Sequence, residues 1–200
     1  MKKHSTSHDA YFRHLKSITL LGKLYKRYIT SPYLYACARR FGPKILEVGC
    51  GIGAGVLGAY PREVTGVDIN PQAVSHCLSK GYNARLIHTG QTWDIPSSSF
   101  DACILDNVLE HVAEPSLLLR ECARVTQSRG GLVVAVPGSK GFASDGDHKV
   151  NYDDTSLRDL NHGWTCTRLT GLPLWVGRRF LSKRVRQFCF VAVYGKTDSF

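Results

Sequence analysis

Lys44-Ile45-Leu46-Glu47-Val48-Gly49-Cys50-Gly51-Ile52-Gly53 is the stretch on which the fold turns. Ile45 to Val48 is a short apolar run with one acid inside it, and it stops at three alternate glycines. A run this short, closed by glycine, reads as a buried strand and not as a helix. The glycines permit a tight turn and a close backbone approach to a ligand at the carboxyl end of that strand. Downstream the same texture returns. Val64-Thr65-Gly66-Val67, Arg85-Leu86-Ile87-His88, Ala102-Cys103-Ile104-Leu105 and Leu132-Val133-Val134-Ala135-Val136 are further strand candidates. Helical segments lie between several of them, from Asn70-Pro71 to about Lys80 and from Pro115 to about Val125. Strands alternating with helices of this length imply right-handed crossovers and a parallel sheet covered on both faces. The expected fold is therefore α/β, a three-layer α-β-α sandwich around a mostly parallel seven-stranded sheet. Thr165 to Leu169 and Gln187 to Tyr194 supply its last two strands.

Working outward, residues 1–8 are polar and read as disordered. Residues 9–41 carry helical periodicity, with Leu15, Ile18, Leu21, Leu24, Tyr25 and Tyr28 on one side. Ser31-Pro32 is expected to break that helix, and Pro32 to open a second one through Arg40. Gly42-Pro43 ends the prefix, so residues 1–41 are taken as a tail with a helical segment and residues 42–200 as the main domain. Beyond Pro137, Gly138 to Asp153 reads as a polar loop and Thr155 to Leu160 as a short helix.

The chain has 200 residues, enough for one domain with a core that needs no staples. Seven cysteines, at 37, 50, 77, 103, 122, 166 and 189, form no Cys-x-x-Cys pair. They read as reduced, buried small hydrophobes in a cytoplasmic protein. No apolar run approaches a bilayer span, and the polar start is followed by no signal-peptide core. A formal net charge of +10 favours an anionic partner: nucleic acid, a phosphate-bearing lipid or an acidic saccharide. Arg178 to Arg186 interleaves cations with apolar residues, which suits peripheral contact with anionic membrane, a phosphorylated or nucleic-acid substrate, or simply a solvated face. Lys16, Lys23, Lys26 and Arg27 either add to that surface or cover the active site.

Asp68, in Val67-Asp68-Ile69, ends the second strand nineteen residues past Gly49. A carboxylate there can accept both hydroxyls of a ribose. Gly49-x-Gly51-x-x-Ala54 loosely satisfies the dinucleotide fingerprint, so a dehydrogenase is the nearest chemical competitor. Glu47 opposes it: a negative charge just before the turn repels a pyrophosphate and suits a cofactor carrying an ammonium and a sulfonium.

Ile45 to Gly53, Val67-Asp68-Ile69-Asn70-Pro71, Ile95-Pro96-Ser97-Ser98-Ser99-Phe100-Asp101 and Asp106-Asn107-Val108-Leu109-Glu110-His111-Val112 together resemble the class I, Rossmann-like S-adenosylmethionine-dependent methyltransferases. The resemblance covers about residues 42–137 and points to the group that modifies small molecules, lipids and saccharides. It implies that Glu47 and the backbone of Gly49, Cys50, Gly51 and Gly53 hold the methionine moiety, that Asp68 holds the ribose and that Ile69 packs on the adenine. The family places an acid after the third strand to accept from the adenine amino group; here Thr89-Gly90-Gln91-Thr92 offers Gln91 and Thr92, and a glutamine carbonyl also accepts. Asp106 and Asn107 are implied to line the cofactor and acceptor pocket. One antiparallel member in the last strand pair, and an N-terminal helix near the acceptor site, are implied too.

Two histidines are candidates for acid–base work. His148, in the loop beyond the fifth strand, can take a proton from an attacking hydroxyl, with Asp147 orienting it. His111 reads more simply as a half-buried residue that caps or packs. The histidines and acids show no metal-ligand spacing, so no metal is called for. The resulting expectation is methyl transfer to an oxygen or nitrogen of a small-molecule, lipid-linked or saccharide acceptor, releasing S-adenosylhomocysteine. An RNA or protein methyltransferase and a non-catalytic cofactor- or partner-binding protein remain the alternatives, and the oligomeric state is not legible.

Overall fold

β1 (Ile45–Val48) is buried along its whole length and pairs in parallel with β2 (Val64–Asp68) on one side and β4 (Phe100–Asp106) on the other. The computed structural model describes residues 24–172, 182, 183, 185 and 187–197. The sheet has seven strands in the order β3-β2-β1-β4-β5-β7-β6, with β3 (Ala84–Leu86), β5 (Thr126–Pro137), β6 (Trp164–Leu172) and β7 (Cys189–Lys196). β7 runs antiparallel to both β5 and β6, and the other neighbours are parallel. The expected mostly parallel α/β sandwich with one reversed strand is what forms.

Central strands bury both faces, which is why they read as continuous apolar runs without alternation. Leu46, Val48, Cys103, Leu105, Leu132 and Val134 pack on one face, and Ile45, Ala102, Ile104, Val133 and Ala135 on the other. The first face is covered by α4 (Ser116–Val125), which turns Leu119, Cys122, Ala123 and Val125 inward. Trp164 locks it from the far edge, its indole N–H donating to Leu119 O at 3.1 Å. The second face is covered by α1 (Ser31–Arg39), α2 (Val56–Ala59) and α3 (Pro71–Ser79) through Leu34, Cys37, Val56, Leu57 and Val74. α3 starts where Asn70 accepts from the N–H groups of Gln72 and Ala73, with Pro71 pre-set at the first turn. All seven cysteines are free, and six of them are buried.

Three expectations are corrected. The helix does not break at Ser31-Pro32. A π turn (Lys26–Thr30) runs straight into α1, and Ser31 N–H bonds to Lys26 O, five residues back. That wider turn makes room for a proline ring and for its missing donor, which an unbroken α register does not. β5 begins at Thr126, six residues before the apolar run, because the polar Thr126-Gln127-Ser128-Arg129-Gly130 segment carries no strand pattern yet Thr126 still pairs with Phe100. The loop after β5 contains a short helix, α5 (Ser139–Phe142), and the expected helix near 155–160 is α6 (Asp154–Arg158), opened by an Asp153 capping box. Residues 1–8 and most of 178–186, on which the disordered tail and the basic surface were read, lie outside the described residues. No helix among the described residues is long and apolar enough to cross a membrane.

Gly58 shows how tightly the turn is packed against α2. A Cβ there would stand 2.0 Å from Gly53 O, a backbone atom that cannot swing away. Gly58→Ala gains helix propensity of about 1 kcal/mol, yet overpacking of about 1–3 kcal/mol or more opposes it. The clash wins, so the variant should unfold at a lower denaturant concentration than the parent. Gly146→Ala, with nothing within 4 Å of its Cβ, should match the parent within about 0.5 kcal/mol. Equal midpoints for the two variants would contradict this packing.

Candidate active site

The glycine turn spends its donors inward. Gly49 and Cys50 N–H both donate to Val67 O at 2.8 and 3.0 Å, Gly53 N–H donates to Cys50 O, and Gly51 N–H donates to Asp68 Oδ2 at 2.7 Å. Gly49, Gly51 and Gly53 all have positive φ, between 53° and 74°, which glycine adopts without strain. The first turn of α2 is also satisfied from within: Val56 and Leu57 N–H donate to Glu47 Oε1 and Oε2 at 3.1 and 2.6 Å. A pyrophosphate needs such N–H groups free at a glycine turn and helix start. Here a carboxylate of the chain already holds them.

Four acids lie buried where β1, β2 and β4 end or just after: Glu47, Asp68, Asp106 and Glu110. Burial, and after it the neighbouring Asp106, push the Glu47 carboxyl up to about 7, against the pull of Leu57 N–H, Lys26 and Val56 N–H. Asp68 accepts from Gly51 N–H and from Asn70 N–H, tying the turn to the start of α3. Ile69, next along, is half exposed and presents an apolar surface at the same edge. Gln91 and Thr92 are exposed in the loop after β3. That loop is anchored just beyond them, where Glu121 accepts from Trp93 N–H and the Arg124 guanidinium donates to Trp93 O and Ile95 O.

Asn107 takes a left-handed φ of 57°, and its amide donates to Asp106 Oδ1 at 2.8 Å. The other Asp106 oxygen faces Lys26 Nζ at 3.0 Å. Lys26 lies over Gly55, close to Glu47 Oε1, so one cation serves this acid corner. Arg27 donates to Gly58 O at 2.7 Å, pinning the π turn to α2. Of the two roles read for these cations, these contacts fit covering the site and not forming a separate basic face. Nothing in the spacing of Lys26 foretold the Asp106 contact, because the pairing depends on the π turn.

His111 closes the short 3-10 turn Leu109–His111 that follows β4, and His148 comes down onto it from the loop after α5. Their rings meet edge-on with centroids 4.8 Å apart. The loop is held there by Lys149 and Val150 N–H, which both donate to Glu110 O. His148 Nδ1 faces Phe142 O at 2.8 Å, and its Nε2 lies 3.9 Å from Asp145 Oδ2. The partner expected for His148 was Asp147. Instead the Asp147 carbonyl faces His111 Nδ1, because the turn at Asp145 points the intervening side chains outward. Burial, then the neighbouring His148, hold His111 below its ordinary pKa, so it is neutral at pH 7. The structure thus brings Glu47, the glycines, Asp68, Ile69, Asp106 and Asn107 to one edge, with His111 and His148 just beyond the end of β4.

Comparison with known proteins points to methyltransferases. Residues 46–134 match the family model described as a methyltransferase domain. A probable S-adenosylmethionine-dependent methyltransferase of Mycobacterium tuberculosis is 32% identical over 120 residues, 58% of this chain and 43% of the relative. A ubiquinone biosynthesis O-methyltransferase of Idiomarina loihiensis is 33% identical over 100 residues, 45% of this chain and 40% of that protein. The chain therefore spans less than half the length of these curated relatives. The crystal structure of a SAM-dependent methyltransferase from Aquifex aeolicus superposes with a TM-score of 0.64 at 16% identity, covering 94% of this chain and 98% of that one. Residues 46–134 are thus similar to methyltransferase domains, and the sheet has the fold of the S-adenosylmethionine-dependent methyltransferase from Aquifex aeolicus.

The buried Glu47 gives a pH signature. Its carboxyl binds a proton up to about pH 7 in the folded chain and only to about 4.5 in an unfolded one. Between those values the native state holds more protons, so stability falls as pH rises from about 4.5 to 7. A gap of this size corresponds to about 3 kcal/mol. Glu47→Gln removes the titration, so its unfolding free energy relative to the parent should improve between pH 5 and pH 7.5 in urea titrations. A constant difference across that range would remove Glu47 as the source.

Proposed function

We propose that the protein is an enzyme that moves the methyl group of S-adenosylmethionine to an oxygen or nitrogen of a small-molecule, lipid-linked or saccharide acceptor, leaving S-adenosylhomocysteine. The observation that carries this reading is the inward use of every turn donor named above, with Glu47 seated on the start of α2. What remains for a ligand is an acid-rich edge, suited to a cation and unsuited to a pyrophosphate. Asp68, a buried carboxylate at the end of β2, suits a ribose, and Ile69 offers an apolar face for a base. The residues present fit S-adenosylmethionine.

When bound, that group supplies a methyl carbon already activated by its sulfonium. The chain's task is then to bind, align and exclude water, and much of the acceleration comes from alignment. Glu47 and Asp106 provide negative potential for the donor's cationic end. The loop of residues 138–153 covers the acceptor side, and each imidazole there keeps one nitrogen able to take a proton from an attacking hydroxyl. The net charge of +10 favours an acceptor with anionic groups. The relation to an O-methyltransferase of ubiquinone biosynthesis supports oxygen as the methylated atom. We place the activity in the cytoplasm, at a membrane surface when the acceptor is lipid-linked.

Calorimetry with S-adenosylhomocysteine and with NADH tests the reading. The first should bind and the second should not. Asp68→Ala removes two charge-assisted acceptors, each worth about 1.5–3 kcal/mol, so binding of S-adenosylhomocysteine should weaken by roughly 100-fold or more. His148→Ala should leave that affinity unchanged. If the affinity ignores Asp68, the ribose lies elsewhere.

A further inference from the structure

We propose that Glu110, His111 and His148 form a binding site for one divalent transition-metal ion of the zinc type, beside the cofactor edge. One ligating atom from each lies within 4.8 Å of those of the other two. Glu110 is the telling member. Its side chain is 1% exposed, and both carboxyl oxygens are buried without a hydrogen-bond partner. A buried carboxylate is paired, hydrogen-bonded, metal-bound or neutralised by a proton; among the described residues no other side chain pairs with or hydrogen-bonds this one, so a proton or a cation satisfies it.

The surroundings of the two imidazoles are those of metal ligands. His148 Nδ1 meets Phe142 O, and His111 Nδ1 meets Asp147 O. A carbonyl oxygen only accepts, so each Nδ1 carries the proton and each Nε2 keeps its lone pair. Ligating histidines are commonly fixed this way, by a carbonyl on the second nitrogen. The ring of His148 is further held by stacking on Phe142 at 5.3 Å. Two imidazoles and one carboxylate, with room for a further ligand, are the donor set of catalytic zinc, and also of non-haem iron sites. Bonds of ~2.0–2.2 Å require the three atoms to close by less than about 1 Å, within reach of side-chain rotation. The spacing in sequence hides this site: two ligands are adjacent, and the third is thirty-seven residues on, delivered by the loop that Lys149 and Val150 pin to Glu110 O. An ion held there takes the lone pairs that a proton would otherwise take. It offers an acceptor oxygen its open position, where that oxygen loses its proton more readily.

The test is titration of the metal-stripped full chain with Co(II), read by its visible absorption, followed by competition with Zn(II). One ion per chain should bind with a low-coordinate cobalt spectrum. Glu110→Gln, His111→Ala and His148→Ala should each lose at least the roughly 10–100-fold that even outer ligand substitutions cost. His88→Ala, an exposed histidine in the loop after β3 and outside the cluster, should bind as the parent does. Retained binding of S-adenosylhomocysteine certifies that a variant is folded; should Glu110→Gln fail this, His148→Ala on the loop decides. No stoichiometric ion in the parent, or parent-like affinity in His148→Ala, overturns the proposal. Because the readout needs no methyl transfer, neither result bears on the methyltransferase reading.

Discussion

The contact between the Glu47 carboxylate and the N–H groups of Val56 and Leu57 is the constraint around which this edge of the sheet is arranged. It places a full side chain where an open glycine turn would leave a cavity for anions. It also fixes α2 against β1, which in turn brings Gly58 hard against Gly53 O and forbids a Cβ there. Gly55 is held free of side chain by the same carboxylate, since a Cβ would come within 2.5 Å of Glu47 Oε1. One residue thus sets both the shape of the turn and the sign of the potential above it.

That potential is costly. Glu47 and Glu110 both have carboxyls raised by burial, to about 7 and about 8 respectively, with nearby Asp106 adding to each. The chain answers with one cation, Lys26, delivered by a π turn that Arg27 ties to Gly58 O. A chain with net charge +10 therefore keeps four buried acids at this edge.

The fold was largely legible because its decisive signals are local. Strand ends at Val48 and Asp68, with Gly49 directly after the first and the capping Asn70 two residues after the second, follow from steric and hydrogen-bond rules within a few residues. The positions of Glu47, Asp68 and Asp106 at one edge were legible for the same reason, since each lies at or beside the end of a strand. What escaped were contacts between distant segments. Lys26 meets Asp106 across eighty residues, and His148 meets Glu110 and His111 across a loop whose turns carry no periodic pattern. The π turn before Pro32 escaped because proline alone argues for a break, and only the packed α1 shows why the helix continues.

The two halves of the site differ in kind. Asp106 to His111 is a strand end running into a 3-10 turn whose Leu109 is fully buried, so Asp106 and Glu110 are set by the core. Facing them, residues 138–153 form a covering loop, mostly half-buried or exposed, that two hydrogen bonds to Glu110 O hold near its end. Elements fixed by packing carry chemistry common to a fold, while loops change with the ligand. The rigid half therefore speaks for the cofactor. The loop's contribution to the edge is His148, which it sets against Glu110 and His111.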